Sequence, residues 1–303
     1  MSVTKPDSLR VAAYQPAVIA SEPEGSRVDE AVEAIRLAST DGAHLIVFPE
    51  GYPGPLRASA EYDAAPAIAQ AASNSNCAVC WSRIERCGDG RYRKVAYLIN
   101  EKGDQLLRYE RAHPATGDIH PALSGVSLAP GPELGIAELF GITVGVLICS
   151  ELWLPEVSRS LAVSGAELLL APAGGGFGKV APNWQLIARA RAIENEAYVV
   201  LTQHLFGGEE GAALIAGPEE VVSESKKPGV LLGDLDLARL RWLRETDDSM
   251  ANPKPFTSLP GLLRARRPQL YGVLSAPADG LYDYEGLATP ADFVAPSAPP
   301  GVS

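Results

Sequence analysis

Cys149 directly follows an apolar segment, and this position indicates a nucleophile. The segment Ile142–Ile148 is rich in β-branched residues, as is typical of a buried strand. Pro155 suits the first turn of a helix that continues to about Ala162. Cys149 would then lie where a strand ends and a helix begins, the edge at which α/β sheets bind ligands. Nearby helix N–H groups would favour its thiolate. The alternative interpretation is a small thiol buried in the core.

Glu50 occupies the same position relative to an apolar segment of its own. His44–Phe48 predicts a second buried strand, and Glu50 follows it in a turn rich in glycine and proline. A carboxylate in a loop is usually just solvated, but this one follows the strand directly, as Cys149 does.

Predicted strands alternate with predicted helices, although tight turns join some of the strands. The pattern predicts an α/β fold with one mixed sheet, or two sheets, and helices outside. Between two of the strands lies the long irregular stretch Glu110–Pro132, and such connections are often functional. The glycine-rich loop Gly174–Lys179 lacks the Gly-Lys-Ser/Thr ending of a nucleotide-binding loop. From about Asp247 the chain predicts an extended tail.

Composition restricts the classes of partner. The chain has 303 residues, 46% of them hydrophobic, which is ample for a large core. Its net charge of −11 argues against a nucleic-acid partner. No apolar run approaches membrane-spanning length, and the N-terminus has no segment suited to export, so we expect a cytoplasmic protein without a membrane partner.

Four cysteines raise the question of a redox or metal site. The spacing Cys77-x-x-Cys80 invites that interpretation, but the segment predicts a strand. Residues three apart on a strand point to opposite faces, so the two thiols could not easily share a metal ion or a disulfide. We therefore predict no metal site and no structural disulfide. A thiol redox module remains a weaker alternative.

Several motifs, in this order, resemble the nitrilase superfamily of carbon–nitrogen hydrolases over about residues 9–245. They are Val47–Glu50, Leu147–Glu151 with Pro155 and Glu156, Arg189–Asn195, Gly217–Glu219, Gly233–Asp236 and, beyond residue 245, Arg267–Tyr271. The stretch Ile148–Lys179 is most similar to the amidase part of glutamine-dependent NAD synthetases, whose synthetase half is lacking here. The resemblance implies a four-layer α-β-β-α sandwich, a homodimer or higher homo-oligomer, and no cofactor. We expect a hydrolase domain over 1–246 and a tail over 247–303 that packs on a partner subunit.

The resemblance also implies a mechanism. Glu50 would be the general base and Cys149 the nucleophile that forms a thioester, with the N–H of Ser150 as an oxyanion donor. The expected substrate is a small amide or nitrile. Ser150 and the tail motif favour an amide, whereas Glu151 is similar to the nitrilase pattern. Five candidate pocket residues, each of which could equally be core packing, are Tyr52, His113, Trp153, Phe177 and Trp184.

One catalytic position departs from the family. The third catalytic residue of the family is a lysine, but Arg111 occupies its place in Tyr109–His113. Lys94 imitates the motif one strand too early, and we expect it on the surface; Lys179 could reach the site but has no motif support. Asp118 is the candidate for the auxiliary acid of the family.

Arg111 leaves three functions open. It keeps the positive charge but cannot donate a proton as an acid. The first function is an active thiol amidase with a modified cation. The second is nitrile hydrolysis or acyl transfer in the same site. The third is a catalytically inactive binding protein or scaffold.

Overall fold

The computed structural model describes residues 5–17, 25, 27–115, 118, 125–175, 178–205, 211–246 and 261–276. Strands in these ranges are β1 (Ser8–Gln15), β2 (Leu45–Val47), β3 (Ala78–Arg86), β4 (Tyr92–Ile99), β5 (Gln105–Glu110), β6 (Gly135–Leu139), β7 (Ile142–Val146), β8 (Leu168–Ala173), β9 (Tyr198–Gln203), β10 (Ala213–Ala216), β11 (Val221–Ser225) and β12 (Gly229–Asp236). Helices are α1 (Arg27–Thr40), α2 (Ala65–Ser75), α3 (Pro155–Val163), α4 (Ala181–Asn195) and α5 (Leu237–Glu245), with short 3-10 helices at Cys149–Trp153, Gly178–Val180, Pro268–Leu270 and Gly272–Leu274.

The strands form two mixed sheets with matching plans. The first sheet has the order β12-β1-β2-β3-β4-β5, and the second has the order β11-β10-β9-β8-β7-β6. β1, β2 and β3 run parallel to one another, as do β7, β8 and β9, whereas the remaining pairs are antiparallel. Each sheet therefore has a parallel centre between antiparallel edges. Because parallel strands end at a common edge, β2 and β7 can bring the residues that follow them together.

Three apolar layers separate four layers of secondary structure. One layer lies between the sheets, the second lies between the first sheet and helices α1 and α2, and the third lies between the second sheet and helices α3 and α4. In β2, Leu45 and Val47 face the other sheet while Ile46 faces the helices. Burial on both faces explains the uninterrupted apolar segments, since each such side chain contributes roughly 1.5–3 kcal/mol. The expected four-layer α-β-β-α sandwich is confirmed.

The two cysteines of the Cys77-x-x-Cys80 segment lie on opposite sides of the first sheet. Cys80 belongs to the layer between the sheets, and Cys77 belongs to the layer against the helices. All four cysteines are free thiols. Within the described ranges, no group of His, Cys, Asp and Glu side chains is arranged so that it could hold a metal ion.

Lys94 corrects an expectation from the sequence. β4 begins at Tyr92, three residues before the apolar run that marked it in the sequence, and Lys94 therefore lies inside the strand. The side chain is buried rather than on the surface, because only 9% of the residue is exposed. The charged run Arg91–Lys94 resembles a solvated turn, but buried carboxylates on other elements receive the Lys94 ammonium.

The described part of the tail, residues 261–276, lies near α3 and the residues that follow α4. The Leu262 N–H donates to Oε1 of the buried Glu196, at 3.4 Å. Leu270, Val273 and Leu274 are exposed on this segment. None of the helices in the described ranges combines the length and the apolar character that crossing a membrane requires.

Candidate active site

Four chain segments bring the predicted catalytic residues together. Glu50 lies in the turn after β2, and Cys149 opens the 3-10 helix after β7. Arg111 follows β5, and Lys94 lies beside it on β4, where the Arg111 N–H donates to the Lys94 carbonyl at 2.9 Å. These two antiparallel strands therefore deliver two cations to the edge at which β2 and β7 end.

A cluster of two carboxylates and two cations forms the charged part of the site. Lys94 Nζ lies 2.8 Å from Glu50 Oε1 and 2.6 Å from Asp118 Oδ1. Arg111 Nη1 lies 2.8 Å from the same Glu50 Oε1 and 2.6 Å from Asp118 Oδ2. All four residues are buried. Buried ions need partners of opposite charge, and here each ion has two.

The electrostatics of the cluster follow from this pairing. Burial acts to lower the pKa of Lys94, but the carboxylates of Glu50 and Asp118 outweigh it and raise that pKa to about 12. The pKa of Asp118 is lowered, because Lys94 and Arg111 together outweigh its burial. The ammonium and the Asp118 carboxylate are therefore both charged at neutral pH.

Asp118 and Ser150 hold Arg111 from two sides. Asp118 Oδ2 also accepts the Ala115 N–H at 2.9 Å, so it ties the long irregular stretch to the site. Arg111 Nη2 donates to Ser150 Oγ at 2.5 Å, and its Nε donates to the His113 carbonyl at 3.0 Å. The Arg111 guanidinium therefore contacts residues that follow strands of both sheets, Glu50 after β2 and Ser150 after β7.

Cys149 has a left-handed backbone conformation, with φ of +56°. Residues other than glycine rarely adopt it, and such strain is concentrated at functional sites. Burial raises the pKa of the thiol to about 12, and the Glu50 carboxylate adds to this, whereas Arg111, the Gly174 N–H and Lys94 act in the opposite direction. The expectation of a favoured thiolate is therefore wrong. The five-residue 3-10 helix Cys149–Trp153 is too short to outweigh burial and a neighbouring carboxylate.

Gly174, directly after β8, lies close to both members of the predicted catalytic pair. Its backbone N–H acts to lower the pKa of the Cys149 thiol. A Cβ atom at this position would lie only 2.7 Å from Glu50 Oε2, so the close approach of the carboxylate requires glycine. The neighbouring Ala173 carbonyl accepts the Glu50 N–H at 3.3 Å.

Glu151 connects the 3-10 helix Cys149–Trp153 to the segment that follows Arg111. The carboxylate is fully buried and accepts the N–H groups of Ile148 at 2.7 Å and of Ala112 and His113 at 3.0 Å. The Tyr109 hydroxyl also donates to it, at 2.7 Å and 2.8 Å to its two oxygens. Backbone and hydroxyl donors thus satisfy the buried charge.

The candidate pocket residues occupy different environments. Tyr52 is fully buried against Tyr14 and Phe48, and Trp184 packs in the layer beneath α4. Trp153 meets Trp184 edge to face, with ring centroids 5.4 Å apart. His113 Nδ1 lies 3.2 Å from Glu151 Oε1. Phe177 lies outside the described residues, and Lys179 is exposed on its 3-10 helix.

Sequence reasoning missed three contributors to the site. Lys94 carried a signal, because Tyr92-Arg93-Lys94 imitates the lysine motif, but its position in the strand order argued against it. Gly174 carried only a glycine-rich loop as its signal. His204 carried none; its Nε2 lies 2.8 Å from the Glu50 carbonyl, and its own N–H donates to the Gly174 carbonyl at 3.2 Å.

The fold and this site define a carbon–nitrogen hydrolase. The family model described as carbon-nitrogen hydrolase matches residues 10–245, and the chain belongs to this family. A protein described as hydrolase in pqqF 5' region, from Pseudomonas protegens, is 29% identical over 91% of this chain and 95% of its own length. Human deaminated glutathione amidase is 32% identical over 59% of this chain and 54% of its own length.

Solved structures share the fold. An amidase from Nesterenkonia sp. superposes with a TM-score of 0.70 at 21% identity, covering 90% of this chain and 98% of that one. A carbon–nitrogen hydrolase from Helicobacter pylori G27 gives a TM-score of 0.73 at 19% identity, covering 89% and 99% of the two chains. These likenesses identify the two-sheet sandwich with flanking helices as the nitrilase fold.

Proposed function

We propose that this carbon–nitrogen hydrolase cleaves a small amide, with Cys149 as nucleophile and Glu50 as general base. The observation that supports this most directly is the meeting of Glu50 and Cys149 at Gly174. The backbone of Gly174 acts to lower the pKa of the Cys149 thiol, and a Cβ atom on Gly174 would lie only 2.7 Å from Glu50 Oε2. Family membership supports C–N bond cleavage in general, and the amide substrate and the residue roles are our proposal.

Acylation begins with the thiol form of Cys149. Glu50 takes the thiol proton as the sulfur attacks the carbonyl carbon, and the carbonyl electron pair moves onto oxygen. The Ser150 N–H and the Arg111 guanidinium are the proposed donors to this oxyanion. Glu50 then gives its proton to the leaving nitrogen, the C–N bond breaks, and ammonia or an amine departs from a thioester.

Deacylation uses the same base in reverse order. Glu50 accepts a proton from water as the water oxygen attacks the thioester carbon, and the proton then passes to the departing sulfur. The carboxylic acid leaves, and Cys149 regains its thiol. The raised pKa of Cys149 suits this cycle, because a thiol that is protonated at rest needs a base at the moment of attack.

Two proteins similar to this chain are relevant to the substrate class. A mutant of the amidase from Nesterenkonia sp. AN1 shows covalent addition of the acetamide moiety of fluoroacetamide at its active-site cysteine. The curated relatives include deaminated glutathione amidases. Both support an amide substrate, and the adduct in the Nesterenkonia enzyme supports a covalent cysteine step. Nitrile hydrolysis and acyl transfer remain alternatives in the same site.

A panel of small aliphatic amides and nitriles, assayed for ammonia, tests the proposal. We expect release from at least one amide, trapping of an acyl adduct on Cys149 by mass spectrometry, and loss of both in Cys149→Ala. Cys87→Ala, at a partly exposed thiol outside the site, is the matched control and should retain parental turnover. Ammonia release by Cys149→Ala would reject the mechanism. A parent that is inactive on the whole panel would favour the scaffold alternative.

We also propose that the tail beyond Asp247 packs on a second subunit. The exposed apolar side chains of Leu270, Val273 and Leu274 support this, because a covered surface would bury them. Light scattering at micromolar concentration should give at least the mass of a dimer, and truncation after residue 246 should reduce it. A monomeric mass for the full chain would contradict the proposal. The cytoplasmic location stays a prediction, which cell fractionation can test.

A further inference from the structure

Both cations of the site bind the same oxygen of Glu50. Lys94 Nζ and Arg111 Nη1 each lie 2.8 Å from Oε1. Charge-assisted hydrogen bonds to an oxygen reduce its affinity for a proton, because the proton would displace or repel the donors. Oε1 is therefore the poorer of the two Glu50 oxygens as a proton acceptor.

The other oxygen of Glu50 lies against Gly174. Oε2 is the atom that a Cβ on Gly174 would meet at 2.7 Å, and the backbone of the same Gly174 acts to lower the pKa of the Cys149 thiol. Within the described part of the chain, no donor forms a hydrogen bond to Oε2. The two oxygens of one carboxylate therefore have different surroundings: two cations bind Oε1, whereas Oε2 lies against Gly174, whose backbone also acts on the Cys149 thiol.

We infer that Lys94 is a positioning residue that acts through Glu50: with Arg111 it holds Oε1 and leaves Oε2 as the atom that receives the Cys149 proton. This inference rests on the proposed function. The resemblance places the catalytic lysine after β5, at the position of Arg111. Lys94 lies on the neighbouring strand, β4. The work of one lysine is thereby divided between Lys94 and Arg111.

The charge balance of the cluster gives this division a consequence. At rest, the two carboxylates and the two cations compensate one another. When Oε2 takes the thiol proton, the cluster acquires one positive charge, just as the substrate oxygen acquires a negative one. The two cations therefore leave the cluster positive while the substrate oxygen is negative, and a fixed positive charge near a developing oxyanion lowers the barrier. Without Lys94, the cluster would be negative at rest and only neutral during attack.

The test compares Lys94→Met, Lys94→Gln and Lys94→Arg with Lys102→Met, an exposed lysine in the turn after β4. With an amide that the parent hydrolyses, we expect Lys94→Met to lower kcat ten- to a thousandfold with little change in KM. The acidic limb of kcat/KM against pH should move to higher pH, because a carboxylate loses its ionised form more readily when a neighbouring cation is removed. Lys94→Arg should recover much of the loss, and Lys102→Met should match the parent.

Thermal unfolding and titration of reactive Cys149 normalise each rate to folded sites. Lys94→Gln keeps a hydrogen-bond donor and provides a second neutral variant if Lys94→Met does not fold. Parental kcat and an unmoved acidic limb in the neutral variants would overturn the inference. A lower melting temperature with unchanged kcat per reactive site would also overturn it, because it would leave Lys94 only a structural role.

A separate readout distinguishes failure of this inference from failure of the proposed function. If the parent released no ammonia from any amide, the proposed function would fail. The rate at which iodoacetamide alkylates Cys149 would then decide on Lys94, because alkylation also requires removal of the thiol proton. Slower alkylation in both Glu50→Gln and Lys94→Met than in Lys102→Met supports the inference. Equal rates in all of them overturn it.

Discussion

The two sheets share a strand plan but contribute different kinds of group to the site. The first sheet supplies charge, with Glu50 after β2, Lys94 on β4 and Arg111 after β5. The second sheet supplies a thiol and backbone geometry, with Cys149 in a left-handed conformation after β7 and the N–H of Gly174 after β8. In the proposed mechanism the first half provides the base and the cations, and the second half provides the nucleophile.

The difference between the halves determines which substitutions each can tolerate. Charged side chains on the first half satisfy one another, so removal of one leaves a buried ion with fewer partners. The second half depends on backbone conformation, so a substitution acts there by moving main-chain atoms. Glu151 belongs to the second half by position, but its carboxylate holds both halves through Ile148, Ala112 and His113.

Removal of the Glu151 carboxylate, which connects the two halves, should have the largest effect on stability and turnover. Glu151→Ala leaves the buried Ile148 N–H and Tyr109 hydroxyl, and the part-buried N–H groups of Ala112 and His113, without their acceptor, at a cost of about 1–3 kcal/mol for each buried unsatisfied group. We expect both a large loss of unfolding free energy in denaturant titration and loss of turnover. Glu156→Ala, at an exposed position on α3, is the control and should change neither. Parental stability in Glu151→Ala would show that the two halves are held together without this carboxylate.

The sequence predicted the apolar framework well, because burial on both faces leaves a local pattern. The segments that became β2, β7 and β8 are uninterrupted apolar runs, and the residues after two of them became the predicted pair Glu50 and Cys149. Edge strand β6, strand β11 and helix α5 were missed. β11 is partly exposed and α5 carries many charged residues, so their apolar patterns are weak.

The charged residues of the site could be predicted from the sequence only in part. Arg111 and Asp118 followed from the resemblance, but Lys94 required knowledge of which strand lies beside β5. The pairing of Val95 with Glu110 brings Lys94 next to Arg111, and this register is a long-range property that the sequence does not state. A charged residue is predicted to be solvated unless its partners are known, and those of Lys94 are 44 and 24 positions away in the chain.

Substitutions of Arg111 test one of the two cations that the first sheet supplies to the site. Arg111→Ala should lower amide turnover about a hundred- to a thousandfold, the range for removal of one oxyanion donor. It should also slow alkylation of Cys149, because Arg111 lowers the pKa of the thiol. Arg111→Lys should retain part of the activity or exceed the parent, since an ammonium can donate a proton.

The control for this series is Arg91→Ala, at an exposed position before β4, which should leave turnover unchanged. If Arg111→Ala altered neither turnover nor alkylation, Arg111 would have no catalytic part, and Lys94 would be the remaining cation of the site. The scaffold alternative predicts a different result, with no turnover in the parent and no gain in Arg111→Lys.

The smallest expected effect concerns acid stability and comes from His204, which supports Glu50 from the second half. Burial lowers the pKa of His204 to about 4, although its bond to the Glu50 carbonyl acts in the opposite direction. In the unfolded chain the pKa is about 6.5, so the unfolded state binds more protons between these values. The stability that neutral His204 contributes is complete above about pH 6.5. It is lost as the pH falls through 4, by about 3 kcal/mol in total.

Denaturant titrations of the parent and of His204→Gln between pH 4 and pH 8 measure this contribution. At pH 8 the variant should be less stable, because it lacks the contacts of the ring with Glu50 and Tyr52. The two stability curves should converge as the pH falls, since only the parent has a buried imidazole to protonate. His44→Gln, at an exposed histidine, should give a curve parallel to that of the parent. Curves for His204→Gln that stay parallel to the parent would mean that His204 keeps an ordinary proton affinity in the folded chain.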